Sequence, residues 1–284
     1  MWVAVNSGIQ VFSAMPAPNQ LLALLVPISL CLGGCPHHIE FGLQGEPKSA
    51  EELLKRIEVA ESAVVSVKGE ARLKIDSPQT KGSVTVFAAV AQPAWVHLES
   101  LDFFGKPLGV FVSDGTTFGL YDGPAGKYFH GPATAQNVAR FVPIAIPPAE
   151  LAALLLGRAP RIPHESAELR LDSEAGVLVL TLKQGRVVQV LKVALPSYRV
   201  IHSTVTGAQT YDLDFENLEE VEAITYPRRV VLTAAAAQVR VELNYKGVVV
   251  NEATDLTLFE MTAPPNVPLV EVDERGVPRE GSPR

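Results

Sequence analysis

Cysteine is nearly absent from this chain. Two occur in 284 residues, Cys31 and Cys35, both in one N-terminal stretch. Neither a disulfide framework nor a Cys-based metal site can be built from them across the body of the protein. Positive charge is missing at the start, with no Lys or Arg ahead of position 35. No Lys/Arg cluster occurs later either, and the formal net charge is -7. Nucleic acid and bulk anionic membrane are therefore poor partners. Aromatic residues make up only 7%, so the core must be built largely from aliphatic side chains.

Catalytic signatures are missing too. No GxSxG elbow, Walker loop or GxGxxG occurs, and His164-Glu165 lacks the second histidine of an HExxH helix. The other histidines are His37, His38, His97, His130 and His202; the first two read as solvated linker residues rather than a metal site. Asp212, Asp214 and Glu216 share one strand face and could attract a cation, but alternation makes them an ordinary wet face. The chain is expected not to be an enzyme, to use no cofactor and to hold no metal.

What is present begins with the apolar run 21–32 (LLALLVPISLCL), followed by Gly33-Gly34-Cys35. About a dozen apolar residues are too few to span a bilayer, which needs roughly 20, but suit a signal-peptide core. No second long apolar run follows. Leu32-Gly33-Gly34-Cys35 resembles a bacterial lipobox; a packed cysteine on a buried helix is the other reading. The resemblance implies that residues 1–34 are removed and that Cys35 becomes a lipidated first residue. Its acyl chains would tie the protein to a membrane. Pro36, not Asp, follows Cys35. By resemblance to the sorting rule of many Gram-negative bacteria, this implies an outer-membrane, periplasm-facing location.

Residues 35–47 read as the lipidated Cys and its tether, with Pro and Gly at both ends. Ser49-Ala50-Glu51-Glu52 then offers a capping box for an amphipathic helix within 48–64 carrying Leu53, Leu54, Ile57 and Val64. From Val65 to Asp76 the period switches to two, which predicts a long antiparallel strand with one dry face. Further strand-like runs near 82–91, 95–101, 108–113, 117–121, 168–172, 177–183, 187–194, 198–206, 211–216 and 238–246 are separated by turn signals such as Ser113-Asp114-Gly115. So many strands force a sheet to curl. Residues 132–157 break the pattern: Pro147-Pro148 opens and Gly157 closes an Ala/Leu-rich helical run suited to lidding a concave apolar face. The folded domain is expected over 48–272, with 273–284 as a flexible polar tail.

These pieces resemble the LolA/LolB-type lipoprotein-localisation factors, over roughly 48–268. The resemblance rests on Val96-His97-Leu98, Asp102-Phe103-Phe104-Gly105, Gly119-Leu120-Tyr121-Asp122, Lys127-Tyr128, Pro143-Ile144-Ala145-Ile146-Pro147 and Leu151 to Gly157, in that order. It implies an unclosed, mainly β half-barrel of about eleven antiparallel strands with lid helices on its concave face. It also implies an apolar cavity for acyl chains of lipids or lipoproteins, a periplasmic carrier protein as partner, and a monomer. The apolar strand phases predict a lining of Val67, Ala71, Leu73, Val84, Val86, Val96, Leu98, Val110 and Val241. Phe141, Leu151 and Leu155 would add to it from the lid. Phe103 and Phe104 match the membrane-contacting turn of the LolB branch, ordinary core packing being the other reading. A non-enzymatic envelope interaction or sensor module on the same half-barrel is the alternative function, because fold does not fix function.

Overall fold

A computed structural model describes residues 39–279 except 103, 142–144 and 209. The expected signal segment, Cys35, Phe103 and the His37-His38 pair lie outside the described residues. The described residues form one compact unit. Among the described residues no helix is long and apolar enough to cross a membrane.

The chain opens with α1 (Ala50–Ser62), whose N-cap Ser49 accepts from the Glu52 amide at 3.2 Å while the Glu52 carboxylate accepts from the Lys48 amide at 2.8 Å. The capping box read from the sequence thus forms, with its return bond displaced by one residue. Leu53 and Ile57 on the inner face are wholly buried. Six strands follow: β1 (Ser66–Asp76), β2 (Lys81–Ala91), β3 (Trp95–Leu101), β4 (Pro107–Ser113), β5 (Thr117–Asp122) and β6 (Lys127–Pro132). Two short helices come next, α2 (Ala135–Val138) and α3 (Pro148–Leu155). Seven more strands return: β7 (Ser166–Asp172), β8 (Val177–Gln184), β9 (Val187–Ala194), β10 (Val200–Thr206), β11 (Tyr211–Val221), β12 (Ile224–Ala234) and β13 (Val239–Val250). A short β14 (Leu269–Glu271) ends the set.

Among the described residues, all fourteen strands belong to one sheet in the order β14-β6-β5-β4-β3-β2-β1-β13-β12-β11-β10-β9-β8-β7. Within β1–β6 and within β7–β13 consecutive strands pair antiparallel, and β1 pairs antiparallel with β13 to join the two halves. β7 and β14 are free edges, so the curved sheet does not close on itself. The count exceeds the expected eleven by β6, β12 and the parallel β14. The architecture is the open half-barrel expected.

Pleat alternation decides what each strand buries. On the concave side, cross-strand rows such as Val90↔Val96 and Ala88↔Leu98↔Phe111↔Leu120 form the core. Further along, Leu213, Leu191 and Leu180 continue that face across β11, β9 and β8. The segment after α3 is held to it by Gln189, whose side chain donates to the Pro160 carbonyl at 2.8 Å and accepts from the Ile162 amide at 3.0 Å.

Residues 273–279, expected to be a mobile tail, instead form a turn docked on α2. Asn137 donates to the Asp273 carbonyl at 3.1 Å, Thr134 donates to the Glu274 carbonyl at 2.9 Å, and Val272 bridges Pro278. Asp273 organises this turn by accepting from the Arg275 and Val277 amides.

Candidate functional site

The lid is what turns a curved sheet into a container. Pro148 opens α3 and Gly157 follows its end with φ +71, the left-handed conformation that glycine adopts without strain. A Cβ at Gly157 would come within 2.8 Å of Arg199 Nη2 and of Pro227 Cδ, so the lid's end leaves no room for a side chain. Arg199, almost wholly buried, donates to the Ala60 carbonyl at 3.1 Å and the Gly157 carbonyl at 2.6 Å. One guanidinium therefore closes the C-terminal ends of both α1 and α3. Tyr226 on β12 donates to the Leu155 carbonyl at 2.6 Å, and burial raises its phenol well above the ordinary range, keeping it a donor.

Beneath α3 lies an inner cavity of about 70 Å³. Its sheet wall comes from Leu73, Val86, Leu98, Val230, Leu232 and Leu243, with Val241 beside them. The lid contributes Phe141, Ile146, Leu151, Leu154 and Leu155. Every one of these side chains is apolar.

Ile146, Leu154 and Leu232 also line a larger outer chamber of about 530 Å³, within the usual range for small-molecule sites. Its remaining wall is mostly small or apolar, including Ala234, Ala236, Ala237 and Leu213. Glu150, Thr210 and Tyr211 give it a polar rim. Burial raises the Glu150 carboxyl; burial, and then the Glu150 charge, raise the Tyr211 phenol. At the other end, a pocket of about 200 Å³ shares Leu73 and Phe141 with the inner cavity and reaches Leu108 and Arg140.

Seven of the residues assigned from strand phase and lid pattern therefore stand together around the inner cavity: Leu73, Val86, Leu98, Val241, Phe141, Leu151 and Leu155. Val84 lines the end pocket instead. Val67, Ala71 and Val96 share the inward phase but are packed into the core, outside the cavity wall. Val110 is corrected: it pairs with Glu99 and Tyr121 on the opposite face, and its neighbour Phe111 takes the inward place. A one-residue error of phase reverses the face. Ile146, Leu154, Val230, Leu232 and Leu243 were missed. Val230 and Leu232 went unread because Pro227 and Arg228-Arg229 interrupt the rhythm of β12. Phe104 stands 84% exposed in the β3–β4 turn, where Asp102 Oδ1 accepts from the Phe104 and Lys106 amides at 2.8 Å each.

The convex face carries polar networks. His202 Nδ1 lies 2.7 Å from Asp214 and its Nε2 2.9 Å from Thr204 Oγ1, which donates to Asp212 at 2.6 Å. Glu216 pairs with Arg229, which also meets Glu242 at 2.8 Å. Among the described residues no group of three or more His, Cys, Asp or Glu is placed to hold a metal ion.

No family model and no curated protein sequence matches the chain. Several solved structures do. A DUF1329 family protein from Desulfovibrio piger superposes with a TM-score of 0.51 at 9% identity, over 74% of this chain and 95% of the other. A putative outer membrane lipoprotein-sorting protein domain from Vibrio parahaemolyticus gives 0.47 at 10% identity, over 73% and 94%. A LolA superfamily protein from Nitrosomonas europaea gives 0.46 at 11% identity, over 75% and 98%. At these identities the likeness is one of fold.

Proposed function

We propose that this protein is an envelope lipoprotein, anchored through Cys35 at the outer membrane and facing the periplasm. It binds acyl chains of lipids or lipoproteins between the lid and the concave sheet, for lipoprotein localisation or lipid transfer. The observation that carries this reading is the continuous apolar wall running from the inner cavity into the outer chamber. Such a wall recognises flexible alkyl chains without directional bonds, at about 0.8 kcal/mol per buried methylene. The lipobox-like Leu32-Gly33-Gly34-Cys35 supports the anchor, and the exposed Phe104 supports transient contact with a bilayer.

The test is native mass spectrometry of the full chain carrying Cys35→Ser, purified without detergent, to detect a co-purifying lipid. A second variant, Leu154→Trp, places an indole at the junction of the two chambers. It is expected to lose the lipid while keeping the far-ultraviolet spectrum of the parent. If neither the parent nor its delipidated form takes up any long-chain amphiphile, the carrier reading fails. The half-barrel is then an envelope interaction or sensor module.

A further inference from the structure

We infer that the outer chamber selects among amphiphiles by their polar end, accepting an acyl chain with a neutral or cationic, hydrogen-bond-donating head and rejecting one that ends in a carboxylate. This rests on the acyl-chain reading above and names the ligand class of that site. Among the described residues lining the outer chamber, Glu150 is the only one that carries a charge. Residues 142–144 and 209, nearby in the sequence, are Val, Pro, Ile and Gln and bring none.

Among the described residues lining the outer chamber there is no cation to receive an anionic head. Arg140 lines the end pocket rather than the outer chamber, stacks on the Phe129 ring at 4.8 Å and donates to the Gly276 carbonyl. Arg240 alternates with the inward Val239 and Val241; it donates to Thr233 at 3.0 Å and lies 3.8 Å from Glu242. Arg229 is held between Glu216 and Glu242.

The start of α3 does not supply anion binding either. Pro148 at its first position has no N–H to offer. Glu150 already occupies the first turn, where the helix dipole favours negative charge. A second carboxylate brought into the chamber would meet like charge at Glu150. An ammonium would find a carboxylate that has no salt-bridge partner among the described residues. Hydroxyl groups of a glycerol or sugar head would find the Glu150 carboxylate and the hydroxyls of Thr210 and Tyr211 as partners.

The experiment compares three probes of equal chain length, hexadecanoate, monopalmitoylglycerol and hexadecylamine. Each is titrated at neutral pH, below its micellar concentration, into the delipidated full chain carrying Cys35→Ser. The glycerol ester and the amine are expected to bind about tenfold tighter than hexadecanoate, or more. Glu150→Gln should weaken the amine and strengthen hexadecanoate, narrowing the gap between them. Glu150→Lys should reverse the order of amine and carboxylate. Equal affinity for all three probes, or an order that survives Glu150→Lys, overturns the selection. Failure of all three to bind overturns the acyl-chain reading beneath it.

Discussion

Tyr226 on β12 reaches the carbonyl of Leu155 at 2.6 Å and so fastens the C-terminal end of the lid helix to the sheet. Tyr226 is wholly buried, so removing its hydroxyl strands a carbonyl that water cannot easily reach. An orphaned buried group of this kind costs about 1–3 kcal/mol. Tyr226→Phe is expected to lower the free energy of unfolding by that amount and to speed hydrogen exchange at the amides of α3. Unchanged exchange at α3, with exchange elsewhere as in the parent, would show that the lid is held by packing alone.

Arg199 closes two helix ends at once, at Ala60 and Gly157. Burial pulls its pKa down, and the nearby Glu61 charge acts in the opposite sense. Arg199→Met is expected to destabilise by roughly 1–3 kcal/mol for each of the two carbonyls left without a donor. Gly157→Ala should act in the same direction, because its Cβ would press on Arg199 and Pro227 in a backbone conformation that alanine avoids. Thermal melts of both variants check this; a Gly157→Ala protein as stable as the parent would refute the packing argument.

Period-two alternation in β1, and in the outer parts of β11 and β13, made the inward phase legible, so Leu73 and Val241 could be named from the sequence alone. The same rule failed at β4, where Gly-Val-Phe-Val is apolar on both faces and offers no phase to read. Phe111 could have been preferred over Val110 only through its partner Leu98 across the ladder. β12 was hidden because Pro227 and Arg228-Arg229 break its alternation, although Pro227 is paired opposite Leu218 in the ladder. In the sequence the rim residue Glu150 is a single acid in the Ala/Leu-rich run that forms α3. Its place at a chamber mouth is a tertiary fact, set by how α3 crosses β2 and β3.

Glu242 supplies a pH prediction. A hydrogen bond from Arg229, the largest cause, holds its carboxyl below the ordinary value of 4.5, with Arg240 and Lys74 adding to it. A carboxyl depressed in the folded state adds stability above its unfolded pKa and loses that stability as pH falls through the folded value. Glu242→Gln is therefore expected to be less stable than the parent at neutral pH, with the two curves converging on the acid side of 4.5. Urea midpoints measured against pH test this. A gap that stays constant into acid would mean that Glu242 contributes through shape and not charge.

The proposed anchor and the proposed membrane-contacting turn can be tested separately. Cys35→Ser should release the protein from membranes; detergent-only extraction at the parent's mass would remove the lipid anchor. Phe104, by contrast, should matter only at the moment of transfer. It lies exposed in the β3–β4 turn and lines neither the end pocket nor the inner cavity, so it can meet a bilayer without entering either. Burying one such ring in lipid contributes about 1.5–3 kcal/mol, roughly ten- to a hundredfold in the population of bilayer-bound encounters. Phe104→Ser is therefore expected to bind the glycerol ester as tightly as the parent and yet to pass it to vesicles at least about tenfold more slowly. Equal transfer rates would assign the exposed ring no part in delivery. Lost ligand binding would instead place the turn within the cavity's own support.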